Sequence, residues 1–315
     1  MNTILVIGGS RYFGKSLVER ARDAGHEVTV LNRGSGVPPA GVGHVVADRD
    51  DEEALRAALG PRGFDTVVDQ VCYTPRQAAV ARRVFAGRTG RYVMTSTMEV
   101  YDPATLPGRA AGAGRAAGPV PGPAPVPVTE DSLDLAHTLP TAPHADPARA
   151  YAEQKRQAEA VFLREPAFPF VSVRTAHVLG GGREEFTGRL AHYVARIAAG
   201  TPVDVHEAPY ATSFIHHREI AGLLYWAAGQ DFTGPVNAAS HGSLDVTGLC
   251  ELVARRLGRR PRYRRVQQGL PASPFSFDRA YAMDNGRAAA LGFGFGRVAE
   301  WLPGAIAEAA EAAGG

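Results

Sequence analysis

The chain has 315 residues, with 34 Lys and Arg against 32 Asp and Glu for a formal net charge of +2. Both signs are interspersed, which excludes the basic field that attracts nucleic acid, so a small-molecule partner is expected instead. Two cysteines, Cys72 and Cys250, are too few for a disulfide framework and predict a reducing, cytoplasmic setting.

In chain order, TILVIG predicts a buried strand. Its apolar run is too short for a membrane span and lacks the charged flank of a secretory leader, so no membrane partner is expected. The helix GKSLVERARDAG follows, then the strands HEVTVLN and HVVA, the helix DEEALRAALG, the strand FDTVVDQ, the helix PRQAAVARRVFAG and the strand RYVMTST. Continuous β-branched runs alternating with helices predict a parallel sheet covered on both faces. That is a doubly wound α/β fold, with ligands at the carboxyl ends of the strands.

From Asp102 to about Pro147 the sequence is rich in Pro, Gly and Ala, and it reads as an insertion, either a surface loop or a substrate lid. The pattern resumes with the helix ARAYAEQKRQAEAVFLRE and one strand, FPFVSVRTAHVLG. Beyond residue 180 the elements are mixed: a helix around 186–199, SFIHHREIAGLLYWAA, PVNAAS, the helix DVTGLCELVARRLG and a terminal helix. The expected organisation is a nucleotide-binding domain over 1–180 carrying the 102–147 insertion. A smaller mixed α/β lobe over 181–315 faces the substrate and returns some segments to the main domain.

The first strand runs into GGSRYFG. Gly8 and Gly9 permit a tight turn, Gly14 lets helix and strand pack closely, and Ser10, Arg11, Tyr12 and Phe13 complete a loop that presents helix N–H groups to a pyrophosphate. The second strand ends at Asn32 and Arg33, where an NAD site usually places an acid for the ribose 2′-hydroxyl. With no carboxylate there, Arg33 and Arg11 can take a 2′-phosphate, so NADP(H) is expected over NAD(H), which stays possible. Asp48 falls beside the adenine. Cys72, as an inert thiol, and Tyr73 are expected to line the same pocket.

YAEQK sets Tyr151 and Lys155 four apart, on one helix face, where the ammonium can lower the phenol pKa toward the working range. Together with VMTSTMEVYD, VSVRTAHVLGGG, SFIHHREIAG and MDNGRAAALGF, these motifs make nearly the whole chain resemble the short-chain dehydrogenase/reductase superfamily. The resemblance is to the extended or atypical branch that holds the NAD(P)-dependent epimerases and dehydratases. The arginine in the glycine loop is similar to an atypical subgroup related to chloroplast stem-loop RNA-binding proteins.

The resemblance implies a Rossmann fold and hydride transfer at a secondary alcohol or ketone of a sugar-like or other polar metabolite. It makes Thr97 the hydroxyl donor, Tyr151 the proton-exchanging group and Lys155 the residue that also holds the nicotinamide ribose; strand alternation favours Thr97 over Ser96. STMEVY further resembles a stretch of nucleotide-sugar 4,6-dehydratases whose glutamate abstracts a carbon-bound proton. Glu99 is therefore the candidate base of an epimerase or dehydratase alternative. Met98 stands where those enzymes often carry an acid and is expected only to line the substrate site.

His177, after the sixth strand, is expected near the nicotinamide, and Arg218, at a helix start, is a candidate for a substrate phosphate or carboxylate. His216 and His217 have no third ligand at suitable spacing, so no metal is expected. A third reading, a non-catalytic nucleotide-sensing or RNA-associated protein, is opposed by the intact Tyr/Lys pair. The oligomeric state, monomer or homodimer, is open.

Overall fold

The computed structural model describes residues 1–103, 106, 126–137 and 146–314. The rest of the expected 102–147 insertion, and with it the lid reading, lies outside the described residues.

In β1 (Thr3–Ile7), Ile4 and Val6 enter one hydrophobic layer and Leu5 and Ile7 the other. This period-two division is what a strand covered on both faces requires. α1 (Tyr12–Asp23) crosses to β2 (Glu27–Asn32), then β3 (Gly43–Val46), α2 (Glu52–Leu59), β4 (Phe64–Asp69), α3 (Pro75–Phe85) and β5 (Thr89–Thr97). A short 3-10 turn, Met98–Tyr101, ends β5, and the chain continues through α4 (Pro147–Arg164) and β6 (Phe170–Thr175). The later elements are β7 (His177–Leu179), α5 (Arg189–Ala198), β8 (Val203–His206), β9 (Phe214–His216), α6 (His217–Ala228), β10 (Gly234–Ala238), α7 (Val246–Leu257), β11 (Tyr263–Val266), α8 (Gly286–Ala290) and α9 (Val298–Gly314).

Among the described residues seven strands form one parallel sheet in the order β10-β6-β5-β4-β1-β2-β3. Ile7 lies opposite Leu31 on one side and Asp69 on the other. The chain winds outward from β1 through β2 and β3, then restarts at β4 on β1's far side, so a crevice opens at the carboxyl end of β1. α1 and α6 cover one face with Leu17, Val18, Ile220 and Leu224, and α2, α3 and α4 cover the other with Leu55, Val84 and Phe162. A third core joins α5, α7 and α9 through Leu190, Val194, Leu249, Val253 and Ile306. No described helix is long and apolar enough to cross a membrane.

The stretch expected as one strand, FPFVSVRTAHVLG, is two. Ala176 N still bonds Ala238 O in the main sheet at 2.9 Å, whereas His177 N bonds Ser213 O at 3.3 Å and β7 pairs with β9. A change of hydrogen-bonding partner leaves no trace in an unbroken apolar run. β10, far along the chain, returns to the main sheet beside β6. The described end of the insertion is likewise tied down: Val128 bridges Met283, and the Glu130 carboxylate accepts from Asn237 N at 2.7 Å.

Candidate active site

At the carboxyl ends of β1, β2 and β4 lies a groove of about 430 Å³ lined by residues of the glycine turn, Asn32, Arg33, Asp48 and Tyr73. Gly9 has φ +77°, and a Cβ there would meet Val6 Cγ1 at 2.9 Å and Val18 Cγ2 at 3.0 Å. A Cβ on Gly14 would stand 2.3 Å from Gln70 Oε1 and 3.0 Å from Gly9 Cα. The turn is therefore closed to side chains at both points. α1 begins with no side-chain cap and no acid in its first turn, which leaves its N–H groups to serve an anion.

Asn32 does not wait for a ligand: its Nδ2 donates to Ser10 Oγ (2.7 Å) and Gly36 O (2.8 Å), and its Oδ1 accepts from Gly34 N (2.7 Å). It ties the glycine loop to the loop after β2. Arg11 and Arg33 are exposed residues of the groove lining, and neither guanidinium has an ion-pair or hydrogen-bond partner among the described residues. Arg49, which sequence reasoning passed over, also lines the groove but is neutralised by Asp69 at 2.6 Å. Asp48 is exposed, and its carboxylate accepts from Asp50 N at 2.9 Å.

Tyr12 is part of the groove lining and Cys72 is not. The Tyr12 ring is buried, stacked on His217 with centroids 5.6 Å apart, and its backbone has φ +52°, a conformation a bulky side chain rarely adopts. The Cys72 side chain belongs to the core under α3 and α4, where burial pushes the thiol up to about 12. Only its carbonyl serves the site.

α4 starts where Asp146 caps it, accepting from Ala148 N (2.8 Å) and Arg149 N (3.1 Å), with Pro147 in the first turn. Tyr151 then stands at the mouth, 37% exposed, and Lys155 one turn deeper, 2% exposed. Lys155 Nζ donates to Cys72 O (2.8 Å) and Thr95 O (2.9 Å) and lies 4.5 Å from the Tyr73 ring centroid. Burial lowers its pKa to about 8. The Thr97 hydroxyl is near enough to the Tyr151 phenol to oppose the rise of its pKa, whereas Ser96 is buried and donates to Glu159.

The expectation that Lys155 would pull the phenol down is corrected. The ammonium is directed at two carbonyls and a ring, and burial of the phenol pushes Tyr151 up to about 12 against the opposing Thr97 hydrogen bond.

Glu99 is half-buried on the 3-10 turn that Thr97 caps by accepting Glu99 N at 3.3 Å. Burial, then the neighbouring Asp102, raise its carboxyl to about 7, while Arg279, Arg189 and the Tyr281 phenol oppose them. Asp102 is gripped by Arg279 through both carboxylate oxygens. The Tyr281 hydroxyl is buried with no close hydrogen-bond partner among the described residues.

Three expected site residues are elsewhere. Met98 is 1% exposed in the main core, because strand alternation ends at Thr97 and the 3-10 turn rotates the next side chain inward. Arg218 is exposed on α6, bordering grooves formed with α1 and α9 and not the one beside Tyr151. His177 does not line the cofactor groove: it is sandwiched by Phe275 and Phe277 at 5.0 and 5.4 Å, with Nδ1 3.2 Å from Arg189 Nη1. His216 packs on His217 and Trp301. Sequence reasoning also missed Arg189, Arg279 and Tyr281, which carry no motif and reach the cleft only through the packing of the later elements.

Residues 4–239 match the NAD dependent epimerase/dehydratase family. A stretch of 104 residues is 34% identical to 2′-dehydrokanamycin reductase of Streptomyces kanamyceticus, covering 32% of this chain and 29% of that protein's length. The UDP-glucose 4-epimerase of Thermus thermophilus, solved with NAD, is similar over 99% of both chains, with a TM-score of 0.66 and 20% identity. The dTDP-glucose 4,6-dehydratase of Bacillus anthracis, also solved with NAD, gives 0.71 at 14% identity over 98% of this chain and 96% of its own. At these identities the structural likeness is one of fold. With its family model matched from residue 4 to residue 239, the chain belongs to the NAD dependent epimerase/dehydratase family.

Proposed function

We propose that this protein is an NADP(H)-dependent oxidoreductase acting at a secondary alcohol or ketone of a sugar-like or other polar metabolite. The carrying observation is that Tyr151 stands one helical turn from the buried Lys155, its ring 6.4 Å from that of Tyr73, at the end of a groove closed to side chains at Gly9 and Gly14. The uncapped N–H groups of α1 suit a pyrophosphate, and Arg11 and Arg33, without partners among the described residues, suit an additional phosphate on the ribose. When bound, a nicotinamide supplies or accepts the hydride.

The chain's own residues manage the oxygen. Thr97 donates to it, and Tyr151 exchanges its proton, which it keeps at neutral pH because its pKa is high. Lys155, fixed by the Cys72 and Thr95 carbonyls, places positive charge against the Tyr73 ring and would hold the nicotinamide ribose. The region from residue 181 onward, with Arg189, Arg279 and Tyr281, forms the substrate side.

A second reading, transient redox in an epimerase or dehydratase, is favoured by Glu99, whose pKa of about 7 suits a group that takes and returns a carbon-bound proton. The fate of the nucleotide separates them. A reductase consumes NADPH one for one with product, followed at 340 nm. Product formed with no net change in the nucleotide establishes the second reading, and Glu99→Gln then abolishes turnover while sparing a simple reductase.

A further inference from the structure

The Lys155 ammonium is held from two sides. Thr95 O belongs to β5 and is fixed by the sheet, whereas Cys72 O and the Tyr73 ring belong to the loop between β4 and α3. A loop carbonyl fixes an ammonium only if something fixes the loop. Here that is the side chain of Gln77, in the first turn of α3.

Gln77 Oε1 accepts from Thr74 N at 3.3 Å while Thr74 Oγ1 accepts from Gln77 N at 3.2 Å, a reciprocal cap that starts the helix. The same Oε1 accepts from Tyr73 N at 2.7 Å, a shorter bond that the cap does not require. Tyr73 N and Cys72 O share one trans peptide plane, in which N–H and C=O point in opposite directions. Drawing the Tyr73 N–H toward Gln77 therefore turns Cys72 O toward Lys155. On the other side of Cys72, Val71 N donates to Asp69 Oδ1 at 2.9 Å, so the chain is pinned at both flanks.

The Gln77 amide can face only one way. Its Nε2 donates to Asp50 Oδ2 at 3.2 Å, and a carboxylate has no proton to give, so Oε1 is the end left for the two backbone N–H groups. The Gln77 carbonyl accepts in turn from Arg49 Nη2 at 3.2 Å, and Arg49 is locked by Asp69 at 2.6 Å. Asp50, Gln77 and Tyr73 all line the groove.

We propose that Gln77 is a positioning residue for Lys155: through the Tyr73 N–H it sets the peptide whose carbonyl and adjoining ring meet the ammonium. The inference rests on the redox reading, in which Lys155 holds the ribose.

Lys15 and Lys155 are the chain's two lysines, so lysine labelled with 13C at Cε gives two signals, and the one lost in Lys15→Arg is Lys15. In the nucleotide-free full chain Lys155 should titrate at about 8. Burial lowers it; Cys72, Asp69 and Glu159 oppose burial and Arg49 adds to it, and all of these groups stay in place in the variants. Gln77→Met keeps the length of the side chain but has no oxygen for Tyr73 N. Losing a bond to the charged form lowers a lysine, so Lys155 should titrate about one pH unit lower. Thr74→Ala weakens the same cap but leaves Gln77 Oε1 on Tyr73 N, and its titration should match the parent's.

An unchanged Lys155 in Gln77→Met overturns the proposal. An equal fall in Thr74→Ala does so too, by assigning the effect to the cap. The parent supplies a check that needs no variant: the Tyr73 N–H should be protected from hydrogen exchange, and exchange at the rate of an open peptide overturns the proposal. These readouts need neither nucleotide nor turnover, so their failure sinks this inference alone. Failure of the parent to bind either NADP+ or NAD+ sinks the redox reading, whatever Lys155 does.

Discussion

The two walls of the cleft are made by different means. The side proposed for the nucleotide is built from short contiguous stretches at strand ends: the turn 8–14 after β1, Asn32 and Arg33 after β2, and Asp48 after β3. It works largely through backbone, shape and a helix terminus. The side proposed for the substrate gathers Glu99 and Asp102 from the turn after β5, Arg189 from α5, and Arg279 and Tyr281 from the segment before α8. It works through charged side chains brought together by packing. The first wall suits a ligand common to many enzymes; the second is where this chain can differ from its relatives.

If the walls are separable, one substitution should remove chemistry and leave nucleotide binding alone. Tyr151→Phe carries the largest expected effect, a fall in turnover of about a thousandfold with NADPH affinity unchanged. The readouts are the initial rate at saturating substrate and a fluorescence titration with NADPH. The Tyr73 and Tyr151 rings lie 6.4 Å apart, and Phe retains that packing. Parallel loss of affinity would show that the phenol belongs to the nucleotide wall as well.

The same division explains what could be read in advance. Parallel strands and amphipathic helices follow from local periodicity, and the glycine turn follows from backbone sterics, so β1 to β5, their helices and the groove were legible in the sequence. Tyr151 and Lys155 were legible as one helix face, but the direction of the Lys155 ammonium depends on carbonyls at Cys72 and Thr95, far along the chain. Met98 was misassigned because the strand gives way to a 3-10 turn one residue before it. The split between β6 and β7 depends on which strand accepts the next hydrogen bond, and Arg189 depends on His177 and Phe275 lying beneath it. None of these has a local signal.

A smaller effect tests the nucleotide wall from within. Arg11→Ala and Arg33→Ala should each weaken NADPH binding about tenfold, and together about a hundredfold if they act independently, with NADH affinity unchanged. Titration with both nucleotides reads this directly. Equal losses for both would assign the arginines to the pyrophosphate and remove the argument for NADP(H).

The smallest effect probes Glu99 on the substrate wall through stability alone. Its carboxyl is raised from 4.5 to about 7 by burial and by Asp102, against Arg279, Arg189 and Tyr281. The folded chain therefore holds the Glu99 proton more tightly than the unfolded chain does. Ionising it costs stability: the cost is absent below about pH 4.5, grows as pH rises, and is complete above about pH 7. Glu99→Gln cannot ionise and escapes it. Its stability relative to the parent should accordingly improve from pH 5 to pH 8, by on the order of 1 kcal/mol for a half-buried group, measured by urea unfolding at the two pH values. A difference flat across that range would mean that Glu99 ionises as an ordinary carboxylate. The cleft would then hold no proton reservoir at neutral pH, and the epimerase or dehydratase reading would lose the observation that favours it.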